Sequence, residues 1–521
     1  MNNLKKYFDF AFFGALALFF IVVYSHYWLT DPVLQRDDIL LIRPLDQIRS
    51  FGEYLQFAMN NTVLDVQPLR DLTLWINLKF QHMLGYPFFH AVNFLIFFVS
   101  IILFRKLLKV LEFSSQAIYL SLLIYSIHPV MVSATGWISA RKHSLALVFL
   151  LLSLISFIKE KKITIPMIGW FFLSVLSHQI FILFPVWVFL YSKYKKFPQD
   201  KTKFSILAAV GFLLFALGTY KTFVMGMGNT TYETFSFFEN ISRFILSSGR
   251  AMSLLLFPVS ISGAYDQGHP LNLLGIPLIV MTMAVFYKQK AWDSLLWILL
   301  GALAYALTYI AFVNDTYLYL PLICLLIAFN YSFRARPLKL PSVIKNFVLI
   351  FCLSLLVLKT ISASKMWKSD LDLWRYSWEN EGSPYSQIQL SQSLIPLDQE
   401  KGIEFLRAGA RNFDLVSHRE ILKYFLTTIY TSNLPIEKKI EIMKECYVDH
   451  IIYNSWYGLT LAEGNDFEMR EGTGMLKKVL EPEENYVEGS DGRKIYASLK
   501  YLCRNFPGKD VVCKELNITS Y

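Results

Sequence analysis

The chain has 521 residues, of which 54% are hydrophobic and 17% charged, with a mean hydropathy of +0.40. A water-soluble domain carries about 25% charged residues, so a soluble enzyme, a disordered tail and a disulfide-stapled miniprotein are excluded. The formal net charge is +10, yet residues 1–365 hold 31 Lys and Arg against 16 Asp and Glu, whereas residues 366–521 hold 19 against 24. The positive excess lies in short clusters between apolar runs, as membrane topology signals do, and nucleic acid is not an expected partner.

The first apolar run, 8–29, follows Lys5 and Lys6 and has no small-residue cleavage site, which predicts a retained anchor. Runs at 88–108, 116–134, 140–158, 163–177, 179–192, 204–220, 271–287, 294–312, 316–332 and 343–362 bring the expected spans to eleven. A hydrocarbon core of about 30 Å needs about 20 helical residues. The runs at 163–177 and 179–192 fall short of that, and could be tilted, broken, or one hairpin that does not cross.

Basic clusters stand at Lys5/Lys6, Arg105/Lys106/Lys109, Lys159/Lys161/Lys162, Lys193/Lys195/Lys196, Lys288/Lys290 and Arg334/Arg336/Lys339. All share one side if the N-terminus is cytoplasmic, which puts residues 366–521 outside. Two long segments, 30–87 and 221–270, then face outward and carry most of the acidic residues of this part. The short outer loops favour a bacterial inner membrane with a periplasmic C-terminal domain; in a eukaryote the same topology fits the endoplasmic reticulum.

Residues 366–521 show helical spacing of apolar residues, in helix-sized pieces around 384–413, 417–447, 451–480 and 486–515. The repeat is close to the tetratricopeptide (TPR) period of about 34 residues. It predicts helical hairpins whose concave face can hold an extended peptide. The fold class is therefore all-α, a polytopic membrane protein with a C-terminal TPR-like domain. Cys503 and Cys513 could pair in an oxidising compartment.

Five places could carry chemistry. Asp37 and Asp38 follow the first span. Adjacent carboxylates can act as a base or hold a cation, Mg²⁺ or Mn²⁺, although Asp pairs also simply begin loops or cap helices. Gln67, Arg70 and Asp71 precede an apolar stretch, and His90 and Asn93 share one helix face. His128-Pro129 and Arg141-Lys142-His143 put cations at the outer surface, where a lipid phosphate is the natural anion. Snorkelling to headgroups is the plainer reading. His178 and Gln179 lie between the two short spans, and Asp315 and Tyr317 open the tenth. There is no phosphate-binding loop, dinucleotide fingerprint or zinc spacing.

The order of these pieces resembles the transmembrane-and-TPR (TMTC-type) O-mannosyltransferases and their bacterial relatives, within the GT-C glycosyltransferases. The resemblance covers about the first 390 residues. It rests on Arg36-Asp37-Asp38-Ile39, Gln67-Pro68-Leu69 with Leu72-Thr73, His90-Ala91-Val92-Asn93, His128-Pro129 and Ser139-Ala140-Arg141. It continues through Phe257-Pro258 to Tyr265-Asp266, Tyr317-Leu318-Tyr319-Leu320-Pro321, and Trp367 to Trp374. This chain departs from the family pattern at Gln67, Ser133, His143 and His178-Gln179, where the family has Arg, Glu, Asp and Lys-Glu.

The resemblance implies a GT-C-like membrane domain over 1–365 and an outer TPR-like domain over 366–521. It implies an inverting glycosyltransferase using a polyprenyl-phosphate sugar, with mannose the first guess, and a protein or glycan hydroxyl as acceptor. Asp37 or Asp38 would be the base, with Arg141 and Lys142 at the donor phosphate. Gln67, Arg70, His90, Asn93, His128, His143, His178, Gln179, Asp266, Asp315 and Tyr317 would line the outer cavity. No cofactor is required, and a divalent cation at Asp37 and Asp38 is compatible with the scheme. The lost carboxylates motivate a rival, a non-catalytic relative that binds a glycolipid or a partner protein. A flippase would need a polar path through the cytoplasmic half, which offers few polar groups.

Overall fold

The computed structural model describes residues 2–26, 38–60, 67–86, 88–198, 200–223, 237–263, 265, 269–306, 315–335, 341–411, 425–426, 428–430, 432–446, 457, 460–461 and 472. Among them there is no strand. The chain divides into two compact units, residues 1–228 with 234–376, and 229–233 with 377–521.

In the first unit the order begins α1 (Asn2–Tyr24), α2 (Asp38–Asp46), α3 (Phe51–Asn60), α4 (Pro68–Leu84), α5 (Phe89–Val110), α6 (Ser115–Ile127), α7 (Val132–Gly136) and α8 (Arg141–Glu160). It continues with α9 (Ile165–Ser177), α10 (Phe184–Lys195), α11 (Lys201–Phe223), α12 (Phe237–Leu256), α13 (Pro270–Lys288), α14 (Trp292–Ala306), α15 (Tyr319–Ala335) and α16 (Ser342–Ser364). Next come α17 (Asp370–Glu381), α18 (Pro384–Leu394), α19 (Gln399–Arg411) and α20 (Ile436–Glu445).

Six described helical stretches are long and apolar enough to cross a membrane: Tyr7–Tyr24, Phe89–Val110, Arg141–Glu160, Pro270–Lys288, Asp315–Ala335 and Ser342–Lys368. A seventh arises if α6 and the bent continuation Pro129–Gly136, 57° apart, form one span. The sequence led us to expect eleven. The remainder includes the short apolar helices Ile165–Ser177 and Trp292–Tyr305.

The interruptions have a local cause. His128 is extended (φ −73°, ψ 129°) before Pro129, whose ring disfavours helix at the preceding residue. The Nδ1 atom of His128 accepts the Val130 N–H at 3.3 Å, and its Nε2 atom lies 3.2 Å from the Leu255 carbonyl. One tautomer satisfies both, with the proton on Nε2. His178 repeats the device, accepting the Ile180 N–H on Nδ1 at 2.9 Å. His269 does so before Pro270, accepting the Leu271 N–H at 3.2 Å. Three imidazoles thus do what Ser or Asp does at an ordinary helix start.

Ion pairs tie helix ends on the side expected to be cytoplasmic. Asp9 of α1 meets Arg105 of α5 and Tyr119 of α6. Lys195 of α10 meets Asp293 of α14 at 2.6 Å.

In the second unit α18 and α19 pack on one another, and Gly402 of α19 comes so close to Ile395 that a Cβ would lie 2.7 Å from its backbone nitrogen. Its core includes Ile388, Leu406, Phe425, Ile429, Ile442 and Met443. Most of the pieces expected after residue 447, with Cys503 and Cys513, lie outside the described residues.

The tightest crossing joins α12 and α13. A Cβ on Gly275 would lie 1.6 Å from the Gly249 carbonyl oxygen, and one on Gly249 would lie 2.0 Å from the Asn272 carbonyl oxygen. The Ser253 hydroxyl, 2.7 Å from the Leu271 carbonyl, adds a polar tie. Overpacking a core costs about 1–3 kcal/mol, and here the obstacle is backbone. Gly275→Ala should therefore destabilise the membrane unit by about 3 kcal/mol or more, read as a lower melting temperature in detergent, whereas Gly14→Ala, with no atom nearby, should leave it unchanged.

Candidate functional site

The first residue of α8 organises the site. Arg141 is completely buried. Its Nε donates to Asn93 Oδ1 at 2.6 Å, and Nη1 donates to the Thr73 carbonyl at 3.1 Å. Nη2 donates to Asn77 Oδ1 and to the Phe89 carbonyl, both at 3.0 Å. The guanidinium also lies 5.9 Å from the Phe89 ring. Four of its five N–H bonds are engaged, all by neutral acceptors. Among the described residues no carboxylate forms an ion pair with it.

Asp38 opens α2 and is 1% exposed. Its Oδ1 accepts the Ser139 N–H at 2.8 Å, two residues before Arg141. Asn93 uses both ends of its amide, accepting from Arg141 and donating to the Trp137 carbonyl at 3.0 Å. His90 donates from Nδ1 to the Thr135 carbonyl at 3.1 Å. The turn 135–141 is thus held from α2 and α5, and Arg141 carries the tie to α4. The buried faces of α2 and α4 meet through Leu41, Ile42, Leu45, Leu74 and Leu78.

Arg70 is buried and pairs with Asp71 at 2.7 Å through Nε. Burial, with the Asp71 carboxylate nearby, raises the Tyr54 phenol above its ordinary value, and that hydroxyl donates to the Pro68 carbonyl. Gln67 is buried in front of α4 and its Oε1 has no partner.

A second polar group surrounds the 3-10 turn Asp315–Leu318. Ser133 donates to Asp315 Oδ2 at 2.5 Å, with both residues buried. On the same turn Tyr317 packs edge-on against His143, ring centroids 5.1 Å apart, and His143 lies 4.3 Å from His178. Gln179 begins the short turn after His178 and Lys142 is half-buried beside Arg141. Asp37 and Asp266 lie outside the described residues.

The structure therefore brings Asp38, Arg141, His90 and Asn93 together, and gathers Asp315, Tyr317, His143 and His178 around one turn. His128 faces the Leu255 carbonyl. Sequence reasoning did not single out Thr73 and Asn77 as partners of Arg141. It also missed Arg250, a fully buried cation in α12 that contacts His269 Nδ1 at 3.0 Å and lies 5.1 Å from the Tyr265 ring. Its available signal was an Arg set among small and apolar residues in the second half of α12. Trp137 stacks on Trp367 at 6.4 Å, and Gly136 is required there, because a Cβ would meet the Trp367 ring at 2.3 Å. Among the described residues no three His, Cys, Asp or Glu side chains gather to hold a metal ion.

No protein-family model matches the sequence, and no solved structure matches it. A curated Caenorhabditis elegans protein named as a protein O-mannosyl-transferase is 24% identical over 346 residues, covering 61% of this chain and 49% of the relative. The chain thus spans about half the length of that relative.

Replacing Arg141 by Lys keeps the charge but not the planar fork. Hydrogen bonds to a charged group are worth about 1.5–3 kcal/mol each, and Lys can satisfy only some of these acceptors. Arg141→Lys should lower stability by about 2–4 kcal/mol, read as a fall in melting temperature.

Proposed function

We propose that this protein is a membrane-bound glycosyltransferase that moves a sugar from a polyprenyl-phosphate donor to a protein or glycan hydroxyl on the outer face of the membrane. The observation that carries this reading is the buried centre at the head of α8, where the Asp38 carboxylate accepts the Ser139 N–H at 2.8 Å two residues before the fully buried Arg141. The likeness to a protein named as an O-mannosyl-transferase supports the class and makes mannose the first sugar to try. In this scheme residues 1–365 form the membrane body with eleven spans. Residues 366–521 form an outer TPR-like domain that presents the acceptor.

The acceptor oxygen attacks the anomeric carbon while the bond from that carbon to the phosphate oxygen breaks. The bonding electrons leave with the phosphate, and the acceptor proton passes to Asp38. One displacement inverts the configuration. Positive groups placed in advance stabilise the charge that grows on the phosphate. In this reading Arg141 supplies its field, and half-buried Lys142 supplies a second cation. The chemistry needs no metal, and Mg²⁺ or Mn²⁺ at Asp37 and Asp38 is a variable of the assay.

A second reading has its own support. The Arg141 guanidinium is bound mainly by the protein's own carbonyls and amides, so the centre could serve only to lock α4, α5 and α8. The membrane body would then be a scaffold that binds a glycolipid or a partner.

One experiment separates the two. The purified full chain in nanodiscs is given polyprenyl-phosphate mannose with and without Mg²⁺ or Mn²⁺, and loss of lipid-linked sugar is followed by mass spectrometry. Asp38→Asn keeps an oxygen for the Ser139 N–H but removes the base. General-base help is worth about 10²–10⁴-fold, so this variant should lose at least about 100-fold in turnover while still folding, checked by its size-exclusion profile in detergent. Full turnover in Asp38→Asn would remove Asp38 from the mechanism, and no turnover by the parent across a donor panel would favour the scaffold.

A further inference from the structure

The helix that grips Arg141 is partly inside out. With Leu74 and Leu78, α4 buries the polar side chains of Arg70, Asp71 and Asn77. It exposes Ile76, Phe80, Met83 and Leu84, with Met83 68% and Phe80 50% accessible. These four positions share one face at helical spacing. A helix that borders water turns its charged and polar residues outward. The neighbouring α3 repeats the pattern, since Phe51 and Leu55, one turn apart, are exposed. Tyr54 between them is buried and stacks on Trp75 of α4, ring centroids 5.7 Å apart. The two helices thus form a packed pair with apolar residues on its open side. An exposed apolar face of this kind marks a place of contact.

Two features say what covers it. The first is its level. α4 is not among the helices long and apolar enough to cross a membrane, and it packs against α5, α8 and α9. Its Thr73 carbonyl and Asn77 side chain bind Arg141, the first residue of the candidate span Arg141–Glu160. Arg141 in turn binds the carbonyl of Phe89, the first residue of the candidate span Phe89–Val110. α4 therefore lies where two spans enter the membrane. The second feature is continuity. α4 ends at Gly85, whose left-handed backbone (φ 75°) turns the chain, and α5 starts four residues later. Tyr86 in this connection and Leu95 of α5 are both exposed. Leu95 belongs to a span and meets hydrocarbon, and Tyr collects at the membrane interface. Lys79 of α4, its ammonium 5.7 Å from the Trp75 ring, can reach lipid headgroups.

We propose that α3 and α4 lie in the plane of the membrane, with the Phe80 face of α4 in the hydrocarbon of the leaflet at the head of α8, so that the bilayer itself holds Thr73 and Asn77 against Arg141. The partner is a lipid surface, with acyl chains under Phe80 and Met83 and headgroups beside Lys79. An in-plane helix sinks its apolar face about 5–10 Å into the boundary of headgroups and chains. α4 then has two working sides. One is set by the lipid, and the other supplies two acceptors to a buried cation. The helix is rigid between them, so a shift of the first side moves the second. The proposal is independent of sugar transfer, and no covalent step occurs here.

The test is a depth measurement on the full chain in nanodiscs of dioleoyl phosphatidylcholine and phosphatidylglycerol. With the native cysteines replaced by Ala, a nitroxide is placed at Phe80→Cys or at Met83→Cys. Electron paramagnetic resonance then reads its access to oxygen, which concentrates in hydrocarbon, and to a nickel chelate, which stays in water. Labels at Leu95→Cys in α5 and Glu400→Cys in α19 set the lipid and water limits. The labels at 80 and 83 should lie about 5–10 Å below the headgroups, with oxygen favoured as at Leu95. Nickel access equal to that at Glu400 would place this face in water and overturn the proposal. Shielding from both probes would also overturn it, by showing a protein partner, and dipolar broadening between labels would identify that partner as a second copy. A further measurement keeps the native cysteines. Phe80→Asp with Met83→Asp changes only exposed side chains, and in nanodiscs it should speed hydrogen exchange of the α4 amides at least about tenfold by local opening, with α19 unchanged. Unchanged exchange in α4 would show that the bilayer does not support the partners of Arg141.

Discussion

The membrane unit depends on one buried cation. Arg141 sits at the head of α8 without an ion pair among the described residues, and burying such a charge costs several kcal/mol. The cost is offset by four hydrogen bonds that reach into three other places: α4 through Thr73 and Asn77, the first residue of α5 through Phe89, and the body of α5 through Asn93. Because the acceptors are neutral, the positive charge is solvated rather than cancelled. The same hydrogen bonds fix segment 67–86 on the bundle through Thr73 and Asn77. The same contacts thus serve fold and site, and Asp38 joins them by holding the Ser139 backbone in front of the arginine.

How much of this could be read from the residues depends on whether the role is set by side chain or by backbone. Asp38, His90, Asn93 and Arg141 stood out as polar groups at apolar boundaries, and the structure brings those four together. Asn77 carried no such mark, since an Asn midway along an amphipathic helix is an ordinary surface residue until α8 is placed against it. His128 and His178 were noticed for their chemistry, yet their Nδ1 atoms accept backbone N–H groups at helix starts. That use depends on φ and ψ, which composition does not encode. Of the eleven spans expected, six or seven stand among the described residues as helices long and apolar enough to cross a membrane. Apolar periodicity cannot separate a short buried helix from a crossing one, and α9 is 13 residues long.

The two polar groups are linked through the turn after α6. Pro129 ends α6, and the chain turns through Met131 into α7, which carries Ser133 toward Asp315 and Thr135 toward His90. A straight α6 would point the Ser133 hydroxyl and the Thr135 carbonyl elsewhere. The proline, the histidine cap and the 57° bend therefore connect the Arg141 centre to the turn at the head of α15.

The two polar groups differ in sign. Arg141 is a buried cation held by neutral acceptors, whereas Asp315 is a buried carboxylate that accepts the Ser133 hydroxyl. Both are reached from the short stretch 133–141, Asp315 through Ser133 and Arg141 as its last residue. A bent entry into α8 therefore places opposite charges along one short segment, each held by neutral hydrogen-bonding groups.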